Sequence, residues 1–440
     1  MLAEIKTKYI SSSMQGSPLL NLTTGDLVKA LKKVLVEGTN LQSVTSAEVQ
    51  TLNVVSITIA PGHGFSVNQV VTLTGVSAFS GPKEFRIIET TQLTLKLRSS
   101  TTLTNLGKIT DTNLSLKVSP LGYDIAFEGS AATGIICFKN KSNKSPAILK
   151  VIDALPPNGY SQTWAKFARI VAGQKLNATG GEFTGNEKFP TSVAFPDMEK
   201  TGNKVSGETG IFGWMKWDYG LYQSSGYGWT EISEDFYGVY PTDWRIIGDD
   251  NTFYLMIRSM GKDYGSYNIL SFGLYNSFDA SDSGNIVLTG SGRNMPADET
   301  HGGQSGMAWR MGFTKVHDYS GNFLFKSILG ISQPGLTCTF LGLSPSDGEE
   351  RHWNSQADLN GLNPVSGKFV TSPIYIKDSN KDLRGTLRGI EQFYGVKELP
   401  DNLLLNEGTA IVLNTRKYNG DSGDDDSIPY LFSLKNWEEV

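Results

Sequence analysis

The sequence predicts an all-β protein with a small N-terminal β module, a larger β-sandwich-like region and one short N-terminal amphipathic helix. Glycine is abundant, at 48 of 440 residues, and only 19% of the residues are charged. Short alternations of apolar and polar residues recur along the chain between turn-forming residues. Alternation with a period of two indicates half-buried strands, and many strands separated by turns favour packed sheets over helices.

The predicted helix lies in an N-terminal arm that spans residues 1–42. Its apolar residues recur at helical spacing, and they are Leu27, Val28, Leu31, Val34 and Leu35. Thr24 or Asp26 is suited to cap the start, and Gly38 is suited to end the helix. An amphipathic helix usually covers the core of its own chain, so we expect it to dock there, with a neighbouring subunit as the alternative.

The small β module is predicted over residues 43–106. Val54–Ile59 alternates in the pattern of a strand, and a turn containing Gly62, His63, Gly64 and Phe65 follows it. The later strands are predicted in Val70–Leu73, Phe85–Ile88 and Leu93–Leu97, and glycine, proline or threonine separates them.

This module resembles a small β module that is common in virion structural proteins of tailed bacteriophages, especially tail, baseplate and fibre proteins. In that module a Gly-His-Gly-Phe turn precedes a strand that begins with two valines, here Val70 and Val71. One departure is Ser80-Gly81-Pro82, where the family usually has an Asn-Gly turn before the third strand. The resemblance covers about a tenth of the chain. It implies a virion protein that is assembled in the host cytoplasm.

The larger region, residues 107–440, is predicted to be rich in strands and to form one unit or two subdomains. Several of its apolar runs are bounded by Gly, Asn and Asp, including Ile135–Phe138, Ala147–Val151, Trp244–Ile247, Phe253–Arg258, Ile269–Leu274, Ile286–Thr289 and Ala410–Asn414. Two segments have helical spacing. Trp164–Val171 is predicted to form a short helical turn, whereas the glycines of Asp382–Gly395 favour an extended conformation.

Charge and composition exclude several classes of function. The net charge is −5, and the one basic cluster contains Lys139, Lys141, Lys144 and Lys150, so we expect no nucleic-acid partner. No apolar run approaches the length of a membrane helix, so we expect no membrane insertion. The N-terminus is too polar for a signal peptide. Cys137 and Cys338 lie in apolar runs and are interpreted as buried thiols.

The sequence contains no recognisable catalytic or cofactor-binding arrangement. Its histidines, His63, His301, His317 and His352, are not at metal-ligand spacing, and no complete Gly-x-Ser-x-Gly or phosphate-binding motif is present. We therefore expect no enzyme, no cofactor and no metal ligands. The acidic loops Asp378–Asp382 and Asp421–Asp426 are interpreted as solvated loops, with calcium binding as the alternative.

Residues 212–244 are unusually rich in aromatic side chains with acidic residues between them. The aromatic residues of interest are Trp214, Trp217, Tyr219, Tyr222, Tyr227, Trp229, Tyr237, Tyr240 and Trp244. Such rings often fill a core or a subunit interface. The alternatives are a glycan-binding surface and, least favoured, glycoside hydrolysis by paired carboxylates.

These observations favour a structural component of a tailed-phage virion, in the tail, baseplate or fibre-attachment region, that acts through symmetric subunit interfaces. The expected partners are copies of itself and other virion proteins. The alternatives are a receptor-binding protein that recognises host surface polysaccharide, and a head decoration or collar protein.

Overall fold

The computed structural model describes a large part of the chain, which includes most of the N-terminal third. The described residues are 6–21, 25–104, 106–130, 134–153, 165–177, 181–183, 188–189, 215–221, 242–258, 267–279, 285–290, 312–315, 326–327, 336–337, 371–377, 383–393, 399, 402–405, 409–416, 427–435 and 437. Strands dominate them, and the all-β prediction is confirmed. None of the helices in these residues is long and apolar enough to cross a membrane.

The N-terminal arm contributes a strand and the predicted helix. Strand β1 is Lys8–Ser11, helix α1 is Asp26–Lys32, and a π-helical turn continues α1 over Lys33–Glu37. The apolar residues Leu27, Leu31, Val34 and Leu35 are buried in the core of their own chain. The structure therefore shows the helix docked on its own chain.

The start of α1 is capped by a residue that is distant in sequence. Asp26 is the first helical residue, and Gly25 occupies the cap position with a left-handed backbone (φ 82°) and no side chain to offer. Asp153 supplies the missing cap, because its carboxylate accepts the Leu27 N–H at 3.0 Å and its carbonyl accepts the Gly25 N–H at 3.0 Å. Asp26 is thus not the cap, and Thr24 lies outside the described residues. Gly38 ends the helical segment as predicted, with φ 86°.

The β module is a closed barrel. Its strands are β2 (Thr39–Thr51), β3 (Val54–Ile59), β4 (Val70–Thr74), β5 (Lys83–Thr90), β6 (Thr94–Ser99), β7 (Gly107–Ile109) and β8 (Ser115–Val118). The hydrogen-bonded order is β3-β6-β5-β4-β8-β2, and β2 pairs again with β3, which closes the ring; β7 pairs with β2. The barrel thus extends from residue 39 to residue 118, whereas the sequence placed the module at 43–106.

A second sheet follows the barrel. It contains β9 (Asp124–Glu128), β10 (Ile135–Lys139), β11 (Ile148–Ile152), β12 (Ala165–Gly173), β13 (Lys188–Phe189) and β14 (Met215–Leu221). Strands β9 to β12 are neighbours in chain order, and β13 and β14 both pair with β12. The predicted helical turn at Trp164–Val171 is wrong, because its described residues, 165–171, lie in β12. Ala168, Ile170 and Ala172 belong to the same hydrophobic core, whereas Val171 does not, which is the period of a strand.

Two further large sheets and one strand pair are present in the described part of the chain. The central sheet uses β15 (Trp244–Gly248), β16 (Thr252–Arg258), β17 (Tyr267–Leu274), β19 (Ile286–Gly290) and β20 (Gly312–Lys315), with β1 at its edge beside β15. The C-terminal sheet uses β18 (Asn276–Ser277), β23 (Thr371–Lys377), β24 (Leu383–Phe393), β25 (Leu404–Leu405), β26 (Ala410–Arg416) and β27 (Ser427–Ser433). Strands β21 (Lys326–Ser327) and β22 (Leu336–Thr337) form a separate parallel pair. The extended conformation predicted for 382–395 is confirmed for its described residues, which form β24.

The central sheet is buried on both faces. Phe253, Leu255 and Ile257 of β16 belong to a core that also contains the barrel interior, α1 and the second sheet. Tyr254 and Met256, which alternate with them, belong to a separate core shared with the C-terminal sheet. Because successive side chains of a strand point to opposite faces, the central and C-terminal sheets pack as two layers of a sandwich.

Two cations, the buried Lys8 and the half-buried Arg86, connect the N-terminal arm to the barrel. The Lys8 ammonium of β1 donates to the Glu84 carboxylate at 2.7 Å and to the Pro120 carbonyl at 2.7 Å. One guanidinium nitrogen of Arg86, in β5, donates to the carbonyls of Thr7 and Leu434, both at 3.3 Å. The barrel therefore holds the first and the last described strands of the chain together.

Candidate interaction surface at the barrel end

The loop between β3 and β4 contains the Gly-His-Gly-Phe turn identified in the sequence. Gly62 and Gly64 have left-handed backbones, with φ of 77° and 70°. Residues with a Cβ seldom adopt this conformation, so the two glycines allow the chain to fold tightly around His63.

The His63 ring joins this loop to the turn between β5 and β6. Its Nδ1 accepts the Phe65 N–H at 3.0 Å, so the ring proton lies on Nε2, which donates to the Thr91 carbonyl at 2.8 Å. The ring also stacks on Phe65, with the centroids 5.7 Å apart. His63 is buried with both nitrogens engaged, and its role in this geometry is to hold two loops in register.

The N-terminal arm packs against the same loop. The Asn40 side-chain amide donates to the His63 carbonyl at 2.8 Å, and the Gln69 amide donates to the Met14 sulfur at 3.1 Å. Gly64 lies so close to Gln15 that an added Cβ would stand 2.4 Å from the Cβ of Gln15. Four chain segments therefore meet at this end of the barrel and form one continuous surface.

Exposed apolar side chains project from these segments. Leu41 is 69% exposed, Val67 is 46% exposed and Leu93 is 50% exposed. The three segments that carry them contain no Asp, Glu, Lys or Arg, and neither does the adjacent N-terminal arm; these are residues 38–47, 59–82, 90–95 and 9–25. We call this region the barrel-end surface and define it by Leu41, Val67 and Leu93. It offers apolar area and neutral polar groups, a chemistry suited to burial against a partner.

One residue of the aromatic stretch is described with its surroundings. Trp244 is 2% exposed, and its indole N–H donates to the Pro18 carbonyl at 3.0 Å, so it fills the core. Trp217 and Tyr219 lie in β14, where Trp217 is in register with Ala168 of β12. The other aromatic residues predicted for this site, Trp214, Tyr222, Tyr227, Trp229, Tyr237 and Tyr240, lie outside the described residues.

The acidic loops at 378–382 and 421–426 and three of the histidines also lie outside the described residues. Among the residues that the structure describes, no three His, Cys, Asp or Glu side chains are grouped as a metal site would require. Cys338 falls outside them as well. Cys137 is fully buried as a free thiol, and burial raises its pKa to about 12.

A buried ion pair connects the two layers of the sandwich and was not predicted. The Arg388 guanidinium in β24 donates to the Asp249 carboxylate at 3.0 Å, and both side chains are almost fully buried. Arg388 also donates to the Trp437 carbonyl and to the Thr252 hydroxyl. Burial raises the pKa of Asp249, while the guanidinium acts in the opposite direction. An Arg-Gly pair within an apolar strand is the signal in the sequence, because a charge at that position requires a buried partner.

Comparisons with known proteins give little further information. No family model matches the chain, and no curated protein matches it. Among solved structures, it is similar to one described as Phage phi92 endosialidase, at 11% sequence identity and a TM-score of 0.15. The match covers 91% of this chain and 52% of that one, so the chain spans about half the length of the structure it matches. A likeness this weak carries no argument about fold or activity.

Proposed function

We propose that this chain is a structural component of a tailed-phage virion, in the tail, baseplate or fibre-attachment region, and that it acts through contacts with copies of itself and with other virion proteins. The proposal assigns it no catalytic activity. Its phage origin rests on the resemblance of the module around Gly62–Phe65, and its mode of action rests on the barrel-end surface.

The barrel-end surface is the observation that supports the mode of action. The interface cores of proteins are depleted of charged residues, and exposed apolar side chains stabilise association when they are buried. Here the His63 hydrogen bonds hold the loops that bear Val67 and Leu93 together, so a partner would meet a preformed surface and less conformational entropy would be lost on binding.

Quantitative mass spectrometry of purified virions tests this proposal. We expect the polypeptide in the particles, at a fixed ratio to the major capsid protein that corresponds to a multiple set by the particle's symmetry. Immunogold electron microscopy with antibodies against the folded protein should label one site, and a label on the tail or baseplate distinguishes the proposal from a head decoration or collar protein. Particles that lack the polypeptide would contradict it.

A further inference from the structure

We infer that the turn between β15 and β16 binds one buried water molecule, which bridges the Tyr123 hydroxyl and the side-chain oxygen of Asn251. This inference goes beyond the proposed function and does not depend on it.

Two buried polar atoms beside this turn have no hydrogen-bond partner in the part of the chain that the structure describes. They are the Tyr123 hydroxyl and Oδ1 of Asn251. Both residues are more than nine-tenths buried, with exposures of 2% and 6%. Native proteins satisfy the great majority of such groups, and ordered water supplies the partner where protein atoms do not.

Tyr123 and Asn251 reach the same side of the turn. Gly122 packs on Asp250, because a Cβ built at Gly122 would lie 3.1 Å from the Asp250 Cβ. The Asn251 side-chain amide donates to the Asp250 carboxylate at 3.0 Å. Asn251 also lies two residues before Phe253, whose ring contacts that of Tyr123 with the centroids 5.7 Å apart. Side chains two residues apart share one face of a strand, so the phenol and the amide both lie beside Asp250.

The two atoms have the hydrogen-bonding capacity that a bridging water requires. Burial and the charges of Asp249 and Asp250 raise the pKa of Tyr123 well above its usual value, so the phenol keeps its proton and can donate. The Asn251 oxygen can only accept. A water molecule accepts from the phenol, donates to the amide oxygen and has a second proton for one of the two nearby carboxylates. It thereby gains three partners, a number typical of buried waters.

A metal ion suits this site less well than water. Tyr123 and Asn251 offer neutral oxygens, and the Arg388 guanidinium already pairs with Asp249 at 3.0 Å. Calcium requires roughly six to eight oxygen ligands, with carboxylates among them. In the described ranges, no three His, Cys, Asp or Glu side chains are grouped in that way.

The bridge would join two parts of the fold. Tyr123 lies between β8 of the barrel and β9 of the second sheet, and its backbone N–H donates to the Leu35 carbonyl at 3.0 Å, at the end of the N-terminal helical segment. Asn251 belongs to the turn of the central sheet. The water therefore connects the segment that leaves the barrel to the layer that separates the two cores.

Tyrosine-to-phenylalanine substitutions test whether the Tyr123 hydroxyl is hydrogen-bonded. Tyr254 is the matched control, because its hydroxyl is equally buried and donates to the Arg388 carbonyl at 2.9 Å. We expect Y123F and Y254F each to raise the equilibrium constant of unfolding by roughly fivefold, measured by urea denaturation of the whole chain. If Y254F raises this constant and Y123F leaves it unchanged or lowers it, the inference is wrong, because only a hydroxyl without a partner can be removed at no cost.

A high-resolution crystal structure identifies the bound molecule. We expect a density peak about 2.6 to 3.2 Å from both the Tyr123 hydroxyl oxygen and Oδ1 of Asn251. Direct contact between these two atoms, or the lack of such a peak, would overturn the inference. Distances near about 2.4 Å, together with a loss of stability on dialysis against EDTA, would show a metal ion instead and would also overturn it.

Discussion

At the scale of single residues, backbone freedom and burial decide which side chains are irreplaceable. His63 is recognisable in the sequence because two glycines flank it, and the structure shows why both are needed. Its bonding partners, Thr91 and Asn40, were not predicted, because no local pattern reveals which distant carbonyl or amide a buried ring will contact. Asp153 was not predicted as a cap either, because it follows β11 in the second sheet and is distant from α1 in sequence.

Gly64 and Gly62 provide a matched pair of substitutions. Gly62→Ala requires only a left-handed backbone and should reduce the free energy of unfolding by about 1 to 2 kcal/mol. Gly64→Ala has a similar φ, but its Cβ would also collide with Gln15, so we expect a further loss of roughly 1 to 3 kcal/mol. Thermal unfolding followed by circular dichroism measures both. In a Q15G background the two substitutions should become equivalent, and a persistent difference would show that Gln15 is not the cause.

Cys137 should be unreactive in the folded protein. With its pKa raised to about 12, the thiol is protonated at pH 8, and in a C338S background a disulfide reagent should label it only after unfolding. Rapid labelling of the folded protein would contradict its burial.

The same pKa shift predicts a pH dependence of stability. The folded pKa lies above the unfolded value near 9, so the thiol's contribution is complete below pH 9 and is lost as the pH rises towards 12. Between pH 9 and pH 12 the unfolding free energy of the wild type should fall more steeply than that of C137A. The expected difference between the slopes is about 1.4 kcal/mol per pH unit. Parallel slopes for the two proteins would show that the thiol does not titrate in this way.

At the scale of elements, the period of the apolar residues predicted helices and strands correctly where one face of the element is buried. It was insufficient where pairing with other strands determines the conformation. The alternation of Val54–Ile59 correctly predicted β3, and helical spacing correctly predicted α1. The same helical spacing was misleading in β12, because pairing with β11 and β14 fixes that segment as a strand. The module boundary also depends on pairing, since β8 joins the barrel only through contacts with β2 and β4.

Strand β1 illustrates how much one buried cation contributes to an element. Lys8→Met removes the ammonium that donates hydrogen bonds to the Glu84 carboxylate and the Pro120 carbonyl. We expect a loss of about 1 to 3 kcal/mol because these part-buried acceptors lose their partner. Lys96→Met is the control, since the Lys96–Glu89 pair has a comparable distance of 2.6 Å but is exposed, and it should cost less than about 1 kcal/mol.

Hydrogen exchange followed by mass spectrometry locates the effect of the Lys8 substitution. Peptides that contain residues 8–11 should lose protection in K8M and retain it in K96M. Equal protection in both variants would mean that Lys8 does not anchor β1.

At the scale of the whole molecule, the central sheet is the layer on which the rest of the fold depends. Its two faces belong to two different cores, and the Asp249–Arg388 ion pair connects it to the C-terminal sheet. The all-β class and the sandwich were predictable from composition and alternation. The barrel-end surface was predictable only in part: the turn was visible in the sequence, but its hydrogen bonds to Asn40 and Thr91 arise from barrel closure, which no local pattern encodes.

The ion pair predicts a recognisable pattern of stability. Asp249→Ala leaves the Arg388 guanidinium buried without its counter-charge, and we expect a loss of roughly 3 to 5 kcal/mol. The double variant D249A/R388M removes both charges and should recover a large share of that loss, because an apolar replacement avoids the unpaired charge. Thermal unfolding compares the three proteins. A double variant less stable than D249A would show that the other hydrogen bonds of Arg388 matter more than its charge.

The hydrogen bonds from Arg86 to the carbonyls of Thr7 and Leu434 have a consequence for the placement of labels. Fluorescent labels attached beside these two positions would lie close together in the folded protein and report from a single location.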